Sequence, residues 1–143
     1  MAIAPQVTID CADPAALGKF WAAALDYHVQ PPPDGFDSWP AALAAWEVPE
    51  SEWNSANAVV DPAGAGPRIF QRVPEPKTNK NRLHLDLRVS DGPEAPTERR
   101  RAQVQPAVQR LASLGAVEVG AVEKMGSYWV VMTDPEGNEF CVT

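Results

Sequence analysis

The stretch "NRLHLDLRV", residues 81–89, alternates apolar and polar side chains with a period of two. Leucine and valine occupy the odd positions after Asn81, and the even positions carry Arg82, His84, Asp86 and Arg88. This alternation predicts a β-strand with one buried face and one polar face. A solvated surface is one explanation of the polar row, and the floor of a functional site is the other.

A related pattern occurs in the first half of the chain. The stretch "QVTIDCAD", residues 6–13, aligns with "HLDLRVSD", residues 84–91, so that Gln6 matches His84. A helical pattern follows each stretch, and the halves end in related hairpins, "VVDPAGAGPRIFQ" and "VMTDPEGNEFCV". Strand, helix and three strands, repeated, predict an α+β fold of two βαβββ modules, about residues 1–75 and 80–143. Because so small a sheet cannot bury its own face, we expect the modules to share one structure.

Length and charge exclude several classes of function. The 143 residues suit a single domain, and the net charge of −7 argues against nucleic acid as a partner. No apolar run approaches the roughly 20 residues of a membrane span, and no basic amphipathic stretch points to a membrane surface. The N-terminal residues lack the pattern of a secretory signal, so Cys11 and Cys141 are expected to be reduced thiols in the cytoplasm.

Four segments carry a resemblance to a known superfamily: "VTIDCADPAALGKFWAAALDY", "FQRVPEPKTNKNRLHLDLRV", "LASLGAVEV" and "DPEGNEFCV". The chain resembles the vicinal oxygen chelate superfamily, which includes glyoxalase I, bleomycin-resistance proteins, fosfomycin-resistance enzymes and extradiol dioxygenases. The resemblance implies one glyoxalase-like domain over residues 1–143, in which two βαβββ modules form a half-open curled sheet around a ligand cup. It also implies a homodimer. Residues 31–59 stand outside it as a variable insertion.

The resemblance also implies where a metal would bind. The family's ligand positions fall on Gln6, Phe70, His84 and Cys141, but a phenyl ring cannot bind a metal and a thiolate suits zinc better than harder ions. A shift of one residue would offer Gln71 in place of Phe70, which the alternation of this strand opposes. We therefore expect no cofactor, with a divalent metal held by His84, Gln6 and Cys141 as the alternative.

Alternation then assigns side chains to the cup. The strand residues expected to bind the ligand are Gln6, Thr8, Asp10, Phe70, Arg72, Asp86, Arg88 and Cys141. Trp39 and Trp46 of the insertion are expected to bind it as well. A simpler explanation for Asp86 and Arg88 is an ion pair with each other or with Asp10. Polar side chains grouped in this way lower the stability of the fold unless they are hydrated or paired. Their presence therefore favours a functional site over a purely structural explanation.

Two functional hypotheses follow for a small-molecule ligand. In the first, His84 and Glu139 form an acid/base pair of a metal-independent enzyme that moves a proton. In the second, the protein sequesters a drug or metabolite without catalysis, as bleomycin-resistance proteins do, and a metal-dependent lyase or dioxygenase is a further alternative. Trp39, Trp46 and Trp53 are spaced by seven, which fits either a helical core stripe or an aromatic wall over the cup.

Overall fold

The first half of the chain forms one four-stranded sheet with a helix on one face. The computed structural model describes residues 2–64 and 66–143, and the chain divides into two compact units, residues 1–76 and 77–143. In the first unit the elements are β1 (Val7–Cys11), α1 (Pro14–Leu25), β2 (His28–Val29), α2 (Trp39–Ala45), a 3-10 turn (Glu50–Glu52), β3 (Ala56–Val60) and β4 (Pro67–Arg72). The strand order is β1-β4-β3-β2, and β1 and β4 are parallel.

The second half repeats this plan. Its elements are β5 (Asp86–Leu87), α3 (Thr97–Ser113), β6 (Val117–Lys124), β7 (Ser127–Thr133) and β8 (Glu139–Val142). The strand order is β5-β8-β7-β6, with β5 and β8 parallel. The predicted fold class is confirmed: the protein is α+β, it consists of two βαβββ modules, and neither sheet closes on itself. No described helix is both long enough and apolar enough to cross a membrane.

Local sequence explains where α1 begins. Asp13 caps the helix by accepting a hydrogen bond from the Ala16 N–H at 3.1 Å, and Pro14 occupies the first helical position. Asn54 reinforces this end, because its side-chain amide donates to Asp13 Oδ1 at 2.8 Å. Leu17, with 1% of its surface exposed, then lies on the buried side of the helix against the sheet. The cap therefore fixes which side of α1 meets β3 and β4.

The register of β4 corrects one prediction. Phe70 pairs with Ile9 of β1, whereas Thr8 pairs with Ile69 and Asp10 with Gln71. Residues directly opposite in a sheet point to the same face, so Phe70 lies on the α1 face and has no exposed surface. The prediction that Phe70 lines the cup beside Thr8 and Asp10 is wrong.

The arginines that flank Phe70 explain the error. Arg68 and Arg72 share its face but lie near the two ends of β4, where they are less buried than Phe70. Arg72 extends to Glu52, with a guanidinium-to-carboxylate distance of 3.0 Å, and also donates to the Ser51 carbonyl. Near the end of a strand, a long side chain can carry its charge into solvent even though it starts from a buried face. The two arginines therefore made this strand face look polar in the sequence. The register places Arg72 with Phe70 on the α1 face at the end of β4, and its ligand-binding role remains a prediction.

The strand predicted over residues 81–89 is shorter than expected. Ladder pairing is limited to Asp86 and Leu87, and Leu83, which we expected to pack on a helix, is 88% exposed. Leu87 is buried, in line with the alternation. The ambiguous segment "WPAALAAW" forms the helix α2, capped by Ser38, whose hydroxyl accepts from the Ala41 N–H at 3.2 Å.

Candidate functional site

Three side chains capable of proton transfer or metal binding meet in the second unit. His84, Asp86 and Cys141 each offer one ligand atom, and these atoms lie within 4.8 Å of one another. The His84 Nε2 atom is 3.3 Å from Asp86 Oδ1, and the two side chains are 52% and 51% exposed. We call this group the His84 cluster. A small molecule in solvent can reach it.

The pairing of β5 with β8 builds this cluster. Asp86 lies opposite Cys141 and Leu87 opposite Val142. Two backbone hydrogen bonds hold this pairing: the Cys141 N–H donates to the Leu85 carbonyl at 2.9 Å and the Thr143 N–H to the Leu87 carbonyl at 2.9 Å. Val142 is fully buried on the α3 face, so Asp86 and Cys141 point to the opposite face, which we call the open face of the second unit.

The open face continues across the sheet from Cys141. Val131 of β7 lies opposite Cys141, and Gly120 of β6 lies opposite Val131. A Cβ atom built on Gly120 would meet no described atom within 4 Å. The row therefore ends in open space, and this part of the face has room for a ligand.

The environment of Cys141 keeps its thiol protonated. Burial raises the pKa of Cys141, and the negative charge of Asp86 and a hydrogen bond to that carboxylate raise this pKa further. A thiol with a raised pKa is a poor nucleophile at neutral pH because the thiolate is the reactive form. The cluster therefore favours proton transfer or metal binding over nucleophilic attack by Cys141.

Glu139 shares the open face but is engaged in other contacts. Its Oε2 atom accepts a hydrogen bond from the Asn81 N–H at 2.8 Å, and Lys80 and Lys77 lie 3.4 Å and 3.8 Å from its carboxylate. The Asn81 hydrogen bond lowers the pKa of Glu139, and the two lysines lower it further. A carboxylate held in this way is a weak proton acceptor, so its contacts fasten residues 77–81 to β8 instead.

Four other predicted site residues, three in the first unit and one in the second, are exposed to solvent. Thr8 and Asp10 are exposed on the sheet face opposite α1, and Gln6 is exposed just before β1. Arg88 is exposed just beyond β5, and among the described residues Asp86 pairs with His84, not with Arg88. The predicted ligand-binding roles of Gln6, Thr8, Asp10 and Arg88 remain predictions.

The three tryptophans spaced by seven all belong to the insertion. Trp39 lines a cavity of about 460 Å³ in the first unit, together with Trp53. Trp46 packs edge-to-face against Trp39, with 6.5 Å between ring centroids, but is itself 52% exposed. The aromatic-wall interpretation therefore fits Trp39 and Trp53, whereas Trp46 supports the wall from outside.

Sequence reasoning missed several residues around the His84 cluster. It did not assign Lys77, Lys80 or Asn81 to Glu139, because a contact 58 residues apart leaves no local pattern. On β7 the neighbouring side chains of Tyr128 and Trp129 point to opposite faces. Tyr128 is buried on the α3 face, where its hydroxyl accepts from Gln105 at 2.7 Å, so Trp129 lies on the open face.

Comparison with solved structures defines the class of this fold. A glyoxalase/bleomycin resistance protein/dioxygenase family enzyme from Burkholderia phytofirmans PsJN is similar over 99% of this chain and 97% of its own, with a TM-score of 0.63 and 16% identity. The fosfomycin resistance protein FosX from Mesorhizobium loti is similar over 99% and 91%, with a TM-score of 0.61 and 9% identity. FosX from Listeria monocytogenes, complexed with Mn(II) and dihydroxypropylphosphonic acid, gives a TM-score of 0.62 at 8% identity over 99% and 87%. At these identities the likeness shows the fold.

Sequence comparison identifies the family. The chain belongs to the glyoxalase-like domain family, whose model matches residues 6–143. It is thereby a member of the vicinal oxygen chelate superfamily, as the sequence resemblance predicted. No curated protein matches it in sequence.

Because the FosX relative binds Mn(II), the fit of a metal to this chain can be tested on the donor atoms of the His84 cluster. One imidazole, one carboxylate and one thiol are the donor types that zinc accepts, whereas manganese prefers oxygen donors. The set therefore fits a divalent ion of zinc type. Asp86 is the third possible metal ligand among the described residues of the second unit. The sequence resemblance did not imply a metal-binding role for Asp86.

Proposed function

We propose that the protein is an enzyme that moves a proton on a small organic molecule at the open face of the second unit. The observation that carries this proposal is the 3.3 Å contact between His84 Nε2 and Asp86 Oδ1, on side chains that are each about half exposed, 52% and 51%. An imidazole oriented by a carboxylate is the minimal acid/base device at neutral pH. The substrate class that suits it has an acidic C–H bond beside a carbonyl group.

The contact with Asp86 assigns roles to the two ring nitrogens of His84. When Nε2 carries the hydrogen directed at Asp86, Nδ1 carries the lone pair and can accept a proton from the substrate carbon. The imidazolium that results is stabilised by the adjacent carboxylate. Return of the proton by His84 to a neighbouring atom on the same side of the substrate gives an isomerisation and needs no further reactant. His84 is the catalytic residue, and Asp86 is a positioning residue.

A divalent ion at the His84 cluster is the second candidate. It is supported by the proximity of three donors of different types, all within 4.8 Å. His84, Asp86 and Cys141 would hold the ion, which would act as a Lewis acid that polarises a substrate carbonyl. In this chain Cys141 would have to lose its proton on binding, so affinity would rise with pH.

Location and assembly belong to the same proposal. We propose a cytoplasmic protein, which is supported by the Cys11 thiol donating a hydrogen bond to the Gln71 carbonyl at 3.6 Å, a contact that only the reduced side chain makes. We also propose a homodimer, as the resemblance implied, that binds neither nucleic acid nor membranes. Non-catalytic sequestration, as in bleomycin-resistance proteins, remains the alternative that the following experiment excludes or supports.

The experiment is hydrogen–deuterium exchange in D₂O, followed by proton NMR, on a panel of 2-oxo acids, hydroxyketones and 2-substituted thioesters. We expect wild-type protein to catalyse exchange at the carbon beside the carbonyl of at least one compound. His84→Ala should lose roughly 10²–10⁴-fold of this rate. Arg82→Ala, which changes an exposed side chain two residues away, is the matched control and should retain it.

Two results would count against the proposal. Exchange that persists at the wild-type rate in His84→Ala would remove His84 from the reaction. Binding of panel compounds by wild-type protein without exchange of any of them would favour sequestration. Asp86→Asn should lower the rate less than His84→Ala and should shift its pH profile, because it alters the orientation and charge stabilisation of the imidazole rather than removing the base.

A further inference from the structure

The cavity of the first unit is a feature that the His84 cluster does not use. It measures about 460 Å³ and lies between α2, the chain that follows it, and the strands β3 and β4. A folded core rarely contains empty spaces much larger than a water molecule, whereas small-molecule sites span roughly 300–1,000 Å³. All of its lining residues belong to the first unit. Its size is therefore sufficient for a small molecule.

The aromatic side of the cavity is rigid. The Trp39 indole N–H donates to the Gln30 carbonyl at 2.8 Å, and the Trp53 indole N–H donates to the Val48 carbonyl at 3.0 Å. Because both polar edges are occupied, the rings offer only their apolar surfaces to a ligand. Trp46, packed edge-to-face against Trp39, holds that ring in place. A wall of two fixed indoles suits a flat ring system, which loses little freedom on binding.

The opposite side of the cavity consists of small side chains. Ala56 and Ala58 of β3 lie there, beside Ile69, which pairs with Ala58 across the sheet. These residues are on the sheet face opposite α1, because the intervening Asn57 faces Gly18 of that helix. A larger residue at Ala58 would extend into the space. The two alanines therefore leave room for a ligand between the sheet and the tryptophans.

Charge restricts what the cavity accepts. Among the described residues that line it, Glu52 is the only one with a charged side chain, and no lysine, arginine or histidine is present. Glu52 is paired with Arg72 at 3.0 Å, so an uncharged ligand meets no unbalanced charge there. An anionic ligand would lose its hydration without gaining a cationic partner. A cation could instead lie against an indole face.

We propose that this cavity binds a planar, mainly apolar molecule of two or three fused rings that is neutral or positively charged. An apolar cavity of roughly 150 Å³ holds a single benzene ring, so about 460 Å³ gives room for a larger aromatic system. The indole rings supply stacking or edge contacts, and Ala56 and Ala58 accept the opposite face of the ligand. The residues that carry this site all belong to the first unit, and none of them is part of the His84 cluster.

The test uses three probes that share a naphthalene ring and differ in charge: 2-naphthalenemethanol, 2-naphthylmethylamine and 2-naphthoate. Calorimetric titration of the wild-type protein should give saturable binding of the first two, at least tenfold tighter than that of 2-naphthoate. Ala58→Phe, which fills the cavity from the sheet, should weaken binding of both at least tenfold. Ala44→Phe adds the same ring on an exposed position of α2 and should change affinity less than twofold.

Circular dichroism would verify that each variant is folded. If Ala58→Phe does not fold, Leu43→Trp fills the same cavity from α2 and should give the same loss. No saturable binding of the neutral and cationic probes by wild-type protein would overturn the proposal. Equal affinity for 2-naphthoate, or unchanged affinity in a folded cavity-filling variant, would overturn it as well. The probes carry no carbonyl beside an acidic C–H bond and need no metal, so the result is independent of the His84 cluster.

Discussion

Replacing Phe70 by alanine should lower the free energy of unfolding by about 3–5 kcal/mol, the usual effect of deleting a fully buried aromatic side chain. Phe70 has no exposed surface and lies on the α1 face of its sheet, opposite Ile9. The neighbouring Gln71 points to the other face and is exposed. Gln71→Ala is therefore the matched control, and it should change stability by no more than about 0.5 kcal/mol.

Urea unfolding of the wild-type protein and both variants measures this difference. Phe70→Leu keeps more of the buried volume and should cost only about 1 kcal/mol, so it gives a folded variant if the alanine variant is too unstable. A small cost for Phe70→Ala, combined with a large one for Gln71→Ala, would restore the strand facing that the sequence alternation favoured. It would also return Phe70 to the ligand side of the sheet.

Zinc binding should depend on all three residues of the His84 cluster. We expect His84→Ala, Asp86→Ala and Cys141→Ala each to lower zinc affinity by more than the roughly 10–100-fold that loss of an outer-shell partner costs, because each removes a direct ligand. Affinity in the wild-type protein should rise with pH, since burial and Asp86 raise the pKa of the Cys141 thiol that must be deprotonated. Competition with a chromophoric chelator gives these affinities.

The control for zinc binding is Glu118→Gln, which removes an exposed carboxylate of β6 opposite Met132, a residue that is buried on the α3 face. It should leave the affinity unchanged. If Cys141→Ala binds zinc as tightly as the wild-type protein, the thiol is not a ligand. The three groups would then serve only in proton transfer.

Period-two alternation and the internal repeat were sufficient to predict the two modules. They place His84, Asp86 and Cys141 on one face because strand facing is a local property. At β4 the alternation grouped Phe70 with Arg68 and Arg72 correctly, but it could not tell which of the two strand faces α1 covers. Arg68 and Arg72 at the strand ends gave a buried face the appearance of a polar one.

The contacts of Glu139 and the cavity of the first unit could not be predicted for a different reason. Both depend on residues that are distant in sequence, such as Asn81 with Glu139 or Trp39 with Ala58. The spacing of seven indicated that the tryptophans share a surface, and Trp39 and Trp53 do line the same cavity. Trp46 is half exposed, so the spacing alone overestimated its contribution to that cavity. The lysine and backbone partners of Glu139 make it a weaker acid/base candidate than His84, and its catalytic role remains a prediction.

The central claim is that Asp86 and Cys141 meet on the open face of the second unit, and the rate of Cys141 alkylation as a function of pH tests it most directly. Iodoacetamide labelling, quantified on the Cys141 peptide by mass spectrometry, separates this thiol from buried Cys11. We predict a pKa of Cys141 above the value of about 8.5 for a free thiol. In Asp86→Asn this pKa should fall, so labelling at pH 8 should become several-fold faster, whereas Glu118→Gln should match the wild-type protein. Identical pH profiles for wild-type protein and Asp86→Asn would contradict the account.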